Sequence, residues 1–234
     1  MATDTERLRR LIDAAEVVIW DFDGPICRLF AGYPAGQVAA DLIAWLERGG
    51  RGGLPAAAGP DRDDPHAVLR AVGRRQSAPG LVAELEERLT QDELRAAVSA
   101  WPTPYADPLI RTWTAVGARP AVATNNSPRA VKRYLESRGL LGCFGPHIYG
   151  RTRELGSLKP APDTLLRALR ARDVDPSAAL FIGDAATDHE AARQAGVPFL
   201  GYARDERKRE LLRDAGAEAV VDSLEPLLRL VRGT

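Results

Sequence analysis

Short, unbroken apolar runs recur along the chain, each ending at a polar or glycine-containing turn. Val17-Val18-Ile19-Trp20 stops at Asp21, Ala121-Val122-Ala123 at Thr124-Asn125, and Ala179-Leu180-Phe181-Ile182 at Gly183-Asp184. Two more follow, Pro198-Phe199-Leu200-Gly201-Tyr202 and Ala219-Val220-Val221. A strand with one wetted face alternates apolar and polar positions. Runs without alternation suit strands buried on both faces, as in a parallel sheet. Helical patterns lie between them. Ser127 and Pro128 read as the N-cap and first residue of a helix that runs to about 138, ahead of Gly139. Further helices are expected over 162–172 and over 187–195, the latter closed by Gly196. Strand–helix alternation makes βαβ units, so the expected fold is α/β with a doubly wound, Rossmann-like parallel sheet.

The stretch 28–103 breaks this rhythm. Its pattern predicts helices over 36–47, 65–75 and 81–100, with a flexible linker over 49–60 (GGRGGLPAAAGP). It reads as a helical insert between the first and second strands of the sheet. Trp45, Trp101 and Trp113 fall in helical patterns and are expected in the core, as is Trp20 on the first strand.

Composition narrows the picture without choosing a chemistry. Of 234 residues, 45% are hydrophobic and 27% charged, which is globular rather than disordered and sufficient for a buried core. Lys plus Arg equals Asp plus Glu at 32 each, so no net charge favours nucleic acid or an anionic membrane. The two cysteines, Cys27 and Cys143, form no C-x-x-C pair, which argues against a cysteine-rich metal site. No apolar run approaches membrane-spanning length, and the first ten residues lack the apolar core of a secretion signal. A cytoplasmic location is expected.

The candidate chemistry sits where the apolar runs end. Asp21-Phe22-Asp23-Gly24 places two carboxylates two residues apart. In strand geometry they share a face, and the C-terminal ends of strands in an open α/β sheet are where ligands bind. A solvated acidic turn has the same D-x-D-G sequence. A calcium loop of the EF-hand type begins alike, but Pro25, Ile26 and Cys27 follow where oxygen ligands would have to continue. Asp184 follows an apolar run directly, and Asp188 lies four residues on, where a helix N-terminus favours an acid in any case. Thr124-Asn125-Asn126 leads into a capped helix, and a hydroxyl with nearby backbone N–H groups suits an anionic oxygen. Asn126 and Ser127 are also ordinary turn and capping residues. Lys159-Pro160 precedes another helix, although an isolated lysine is usually solvated.

Taken in order, D-x-D-G, T-N, K-P and G-D-x-x-x-D resemble the four-motif signature of the haloacid dehalogenase (HAD) superfamily. The likeness covers about residues 13–26 and 104–225. The insert resembles the helical cap of phosphoglycolate-phosphatase-like members. The resemblance implies a catalytic core of 1–27 and 104–234 and a cap of 28–103. It implies that Asp21 attacks phosphorus to form an aspartyl-phosphate and that Asp23 is the general acid/base. Thr124 and Lys159, with Phe22, Asp23 and Asn125, would hold the phosphoryl group. Mg2+ would be held by Asp21, Asp184 and the backbone carbonyl of Asp23. Asp188 would support the metal's water shell or orient Lys159. The chemistry is consistent. Phosphate-monoester hydrolysis is very slow uncatalysed, so a covalent route that divides it is useful. A phosphodianion repels a carboxylate nucleophile unless a hard cation and a lysine offset the charge, and an all-oxygen donor set suits Mg2+.

Family members usually carry Thr or Val where this chain has Pro25, which lacks both an N–H and a hydroxyl. The geometry of the turn after Asp23 is therefore the part of the pattern that changes. Haloacid dehalogenases resemble this core but lack the second aspartate, so Asp23 points to phosphoryl transfer. The expected function is a magnesium-dependent phosphatase for a small phosphorylated metabolite, acting as monomer or homodimer. A phosphomutase and a non-catalytic phosphate-binding regulatory protein on the same fold are the alternatives. Arg74-Arg75-Gln76 could read a second anionic group or simply end a helix in solvent. His66, His147 and His189 show no ligand spacing and are expected at the surface or internally satisfied.

Overall fold

The computed structural model describes residues 4–50, 62–74 and 79–233. Along the described chain the strands are β1 (Val17–Trp20), β2 (Cys27–Arg28), β3 (Trp101–Pro102), β4 (Arg119–Ala123), β5 (Ile148–Tyr149), β6 (Ala179–Gly183), β7 (Phe199–Tyr202) and β8 (Val220–Val221). The helices are α1 (Asp4–Asp13), α2 (Ala35–Arg48), α3 (Pro65–Arg74), α4 (Pro79–Ser99), α5 (Ala106–Ala115) and α6 (Pro128–Ser137). They continue as α7 (Leu141–Phe144), α8 (Asp163–Arg172), α9 (Ala186–Ala195), α10 (Glu206–Asp214) and α11 (Glu225–Arg232).

Six strands pair in parallel in the order β5-β4-β1-β6-β7-β8. β1 is central because all four of its side chains are apolar and need cover on both faces. Val18 and Trp20 enter one buried cluster with residues of α1, α5, α6 and α11, while Val17 and Ile19 enter another with α8 and α9. Trp20 packs edge-to-face on Trp113 of α5, ring centroids 6.2 Å apart. From β1 the chain passes out to β4 and β5, then crosses back to β6 on β1's other side. That reversal puts a crevice at the C-terminal end of β1, between the ends of β4 and β6. The doubly wound α/β sheet is thus the observed architecture.

The insert builds a second apolar cluster from α2, α3 and the first half of α4, including Leu42, Leu46, Leu69, Leu85 and Leu89, to which Leu155 and Leu158 from the segment before Lys159 also belong. The second half of α4 delivers Ala96 and Ala97 to the sheet's cluster. At 21 residues, α4 therefore bridges both clusters. The chain leaves and re-enters the sheet region through an antiparallel ribbon, Cys27 opposite Pro102 and Arg28 opposite Trp101.

Two expectations need correction. The helix expected over 81–100 ends at Ser99, and Trp101 lies on β3, 57% exposed, with the Arg28 guanidinium 5.4 Å from its ring centroid. Its side chain is drawn out of the core by a pairing with a segment more than seventy residues earlier, which no local period reveals. Trp45 is only partly buried, against the insert's cluster. Most of the linker expected over 49–60 falls outside the described residues, as do Arg75 and Gln76.

Trp113→Ala should lower the unfolding free energy in urea by about 3–5 kcal/mol, because it empties the space against Trp20. Trp101→Ala should cost less than about 1 kcal/mol. Equal losses at the two positions would contradict this packing.

Candidate active site

Three strand ends converge on the crevice. Asp21 follows β1 directly, and its N–H donates to the carbonyl of Ile182 on β6 at 2.8 Å. The chain then turns sharply. The Gly24 N–H donates to the Cys27 carbonyl at 2.6 Å, the Cys27 N–H to the Phe22 carbonyl at 3.1 Å, and the Thr103 hydroxyl to the Gly24 carbonyl at 2.5 Å. The turn closes with Pro25 in place. Gly24 has φ of +120°, and a Cβ there would collide with the Asp184 carboxyl group. Phe22 is buried against Tyr134, so only its backbone can face a ligand. Asp23 is fixed by the Leu29 N–H, which donates to its Oδ1 at 2.8 Å.

Lys159 is the cation these strand ends enclose. It is 2% exposed, not solvated as an isolated lysine usually is. Its Nζ lies 2.7 Å from Asp21 Oδ1 and 2.6 Å from Asp188 Oδ1, and it donates to the Ala123 carbonyl at 3.2 Å. Asn125 ties its backbone down on both sides: the Lys159 N–H donates to Asn125 Oδ1 at 2.8 Å, and Asn125 Nδ2 to the Lys159 carbonyl at 3.3 Å. Asp188 uses its other oxygen to accept the N–H groups of Asp184 and Ala185 at 3.0 and 3.1 Å. Thr124 is buried. Its hydroxyl donates to Asn126 Oδ1 at 3.0 Å, and the Asn126 N–H donates to its Oγ1 at 3.2 Å.

Negative charge exceeds positive here. Burial pushes the carboxyls of Asp21, Asp23 and Asp184 up to about 6, and Lys159, the Leu29 amide and Lys208 respectively draw them only partly back. Burial alone would lower Lys159, but Asp188 and Asp21 outweigh it and hold it above its ordinary value. Both members of the Lys159–Asp21 pair shift upward: burial outweighs the ammonium at Asp21, with Asp188 and Asp184 adding to the rise, whereas at Lys159 the two carboxylates outweigh burial. Ligand oxygens of Asp21, Asp184 and Asp188 lie within 4.8 Å of one another. Asp188 has both oxygens engaged, which leaves Asp21 and Asp184 as the more available donors. The buried, oxygen-only donor set with surplus negative charge fits a hard divalent cation.

A cavity of about 350 Å³ opens over Asp21, Asp23, Thr124, Lys159 and Asp184. Its far wall carries Asp64 with His66 and Arg70 of α3. An adjoining cavity of about 450 Å³ shares Asp23 and Asp184 and adds Arg28, Arg204 and Lys208, whose ammonium pairs with Asp184. A larger cavity of about 640 Å³ beside α1 and α9 contains none of the motif residues. Of the eight residues singled out for the site in the sequence, Asp21, Asp23, Thr124, Asn125, Lys159, Asp184 and Asp188 line the first of these cavities, while the Phe22 side chain turns into the core. Arg74 lines a separate cavity next to Leu155 and Pro160. His147 pairs with the Tyr149 hydroxyl at 3.0 Å, and His189 packs on Phe199. His66 is satisfied, as expected, but it also faces the cavity. Sequence reasoning missed His66, Arg70 and Lys208 as lining residues beside Asp23, because helical charges at ordinary spacing look like any solvated face, and it missed Arg28 because the β2–β3 pairing that places it joins segments far apart in the chain.

It also missed a buried ion pair behind the Thr124 loop. Glu93 of α4 meets Arg151, just past β5, through two contacts of 2.9 Å, both side chains fully buried. Burial alone would raise the Glu93 carboxyl, but the Arg151 guanidinium and the His66 ring hold it well below its ordinary 4.5.

A family model described as haloacid dehalogenase-like hydrolase matches residues 15–196. A plasmid-borne phosphoglycolate phosphatase of Cupriavidus necator is 40% identical over 119 residues, 49% of this chain and 49% of that protein. The chain thus matches about half the length of that relative. A phosphoglycolate phosphatase of Pseudomonas savastanoi pv. phaseolicola is 28% identical over 218 residues, 91% of this chain and 78% of that one. Among solved structures, CbbY from Rhodobacter sphaeroides in complex with phosphate has the same fold, with a TM-score of 0.66 and 23% identity over 89% of this chain and 94% of that one.

Gly24→Ala should lose about 1–3 kcal/mol of stability for its backbone conformation alone and should displace Asp184, weakening divalent-cation binding measured by calorimetry. Unchanged cation affinity would contradict the close approach seen here. The Glu93 pair predicts an acid signature. A carboxyl held below its unfolded value adds stability that is complete above about 4.5 and is lost as pH falls through the lower folded value. The urea unfolding free energy should therefore fall more steeply below pH 4.5 in the wild type than in Glu93→Gln.

Proposed function

This chain belongs to the haloacid dehalogenase-like hydrolase family, and on that footing we propose that it is a magnesium-dependent phosphatase acting on a small phosphorylated metabolite through an aspartyl-phosphate on Asp21. The observation that carries this reading is the buried Asp21–Lys159 contact of 2.7 Å, with Asp23 beside it on the same turn and Thr124 on the neighbouring strand end.

In this reading, Lys159 and the Thr124 hydroxyl hold the phosphoryl oxygens, together with Asn125 and the backbone of Phe22 and Asp23. A carboxylate oxygen of Asp21 attacks phosphorus in line, the new O–P bond forms and the bond to the leaving oxygen breaks. Asp23 keeps one oxygen on the Leu29 amide, and its other oxygen, without a hydrogen bond among the described residues, can carry a proton. A carboxyl raised to about 6 by burial can hold that proton near neutrality and give it to the departing alkoxide. Asp23 then takes a proton from the water that attacks the aspartyl-phosphate, releasing inorganic phosphate and restoring Asp21. A bound Mg2+, held by Asp21, Asp184 and the Asp23 carbonyl, would offset the charge of the phosphoryl oxygens. Asp188 orients Lys159 and the loop after β6, as its contacts suggest.

Residues 28–103 act as the cap that covers the site, and 1–27 with 104–234 as the catalytic core. Arg28, Arg204 and Lys208 on one side of Asp23, and Arg70 on the other, suit a leaving group with its own negative charge. A short phosphorylated acid has this character, in keeping with the names of the relatives. No particular observation among the described residues favours a phosphomutase or a non-catalytic binding protein.

Hydrolysis of p-nitrophenyl phosphate should require Mg2+, vanish with a chelator and return on adding the metal. Asp21→Asn should abolish it, and Asp23→Asn should lower kcat roughly 10²–10⁴-fold. Full activity in Asp21→Asn would remove Asp21 as nucleophile.

A further inference from the structure

Glu93 lies on α4 where that helix passes from the insert's apolar cluster to that of the sheet. Its side chain is 0% exposed. Its carboxylate gathers donors from three separate segments. Arg151 contributes two contacts of 2.9 Å; the Asn126 side-chain amide donates at 3.0 Å and the Ser127 N–H at 2.9 Å; His66 Nε2 lies at 3.3 Å. Arg151 also donates to the Asn125 carbonyl at 2.9 Å and to the Thr90 hydroxyl at 3.1 Å.

These contacts lead straight to the groups that face the cavity. With Nδ2 committed to Glu93, the Asn126 amide can only turn Oδ1 toward the Thr124 hydroxyl. The Asn126 N–H holds Thr124 Oγ1 from the other side, so the hydroxyl proton goes either to Asn126 Oδ1 or to a phosphoryl oxygen. Arg151 fixes the carbonyl of Asn125, and the Asn125 side chain fixes the backbone of Lys159. A buried ion pair is a poor device for stability alone, since apolar residues of similar volume often serve as well or better. Here the carboxylate's contacts besides Arg151 go to Asn126 and Ser127 of the loop after β4 and to His66 of the insert.

We propose that Glu93 is a positioning residue for phosphoryl transfer: from the insert's long helix, together with Arg151, it holds the Thr124–Ser127 loop in its phosphate-binding geometry, so that the loop is correctly set only when the insert is seated on the sheet. This rests on the phosphatase reading above for its kinetic consequence, and on the geometry alone for its effect on phosphate binding.

The test compares wild type, Glu93→Gln, Asn126→Ala and Leu85→Ala in the presence of Mg2+. Leu85→Ala empties part of the insert's cluster without touching the network and controls for lost stability. The readouts are kcat and KM for p-nitrophenyl phosphate, the inhibition constant of inorganic phosphate, and the urea midpoint. Glu93→Gln should weaken phosphate inhibition and lower kcat by about 10- to 100-fold, the size expected from losing a charged hydrogen bond. Leu85→Ala should lose stability with both constants unchanged. Adding Asn126→Ala to Glu93→Gln should cost little more than either alone, because both break one chain of contacts. Should Glu93→Gln fail to fold, Asn126→Ala carries the test, since it leaves the ion pair in place and should reproduce the weakened phosphate inhibition. Phosphate inhibition and kcat within twofold of wild type in folded Glu93→Gln or Asn126→Ala would overturn the proposal. If the wild type hydrolyses no phosphate ester, the phosphatase reading fails separately, and calorimetric binding of inorganic phosphate to the same variants decides the positioning role.

Discussion

A buried lysine among carboxylates is the constraint on which the rest of this structure depends. Lys159 is removed from water and held by Asp21, Asp188 and the Ala123 carbonyl. An unpaired ammonium in that position would be expelled or neutralised. The strand ends after β1, β4 and β6 must therefore stay together, because each supplies a group the ammonium needs or a loop that holds one. The parallel sheet brings those ends side by side, and the switch of direction at β1 leaves room above them.

The balance of charge around Lys159 also shapes the chemistry open to the site. One ammonium cannot offset Asp21, Asp23, Asp184 and Asp188 together, and burial raises three of these carboxyls to about 6. Lys208 relieves Asp184 from the side of α10. Asp21 and Asp23 differ in their partners, one paired with the Lys159 ammonium and the other bonded only to the Leu29 amide among the described residues, and that difference is what the proposed division between nucleophile and acid rests on. The same crowding favours an added hard cation, whose binding would draw the carboxylates down together.

Around this centre, α4 gives the insert a second relation to the site, besides the Asp64, His66 and Arg70 side chains that line the cavity. Its first half is packed into the insert and its second half into the sheet's cluster, so it cannot shift without disturbing both. Glu93 stands at the crossing, bonded to the loop that presents Thr124. The proposed cap and the proposed phosphate-binding loop thus share one buried charge, and seating the first and ordering the second become a single event.

Much of the fold was legible in the sequence because unbroken apolar runs such as 17–20 and 179–182 have few other ways to bury both faces. Asp21 and Asp184 were legible as candidates for the same reason, since each is the first polar residue after such a run or its closing glycine. The order of the motifs, through the resemblance they carry, was needed to single out Lys159. Its local sequence says only that a proline follows. Trp101 was misplaced because the helical pattern before it seemed to continue, while its position is set by pairing with Arg28 across the insert. Sequence by itself determined which segments become buried strands and which acids they deliver, because periodicity and burial are local properties of the chain. Tertiary structure alone decided that Lys159 is buried, that His66 and Arg70 face Asp23, and that Glu93 and Arg151 meet 58 residues apart. A charge shows its purpose only through the partner that neutralises it, and these partners are brought together by packing, not by spacing.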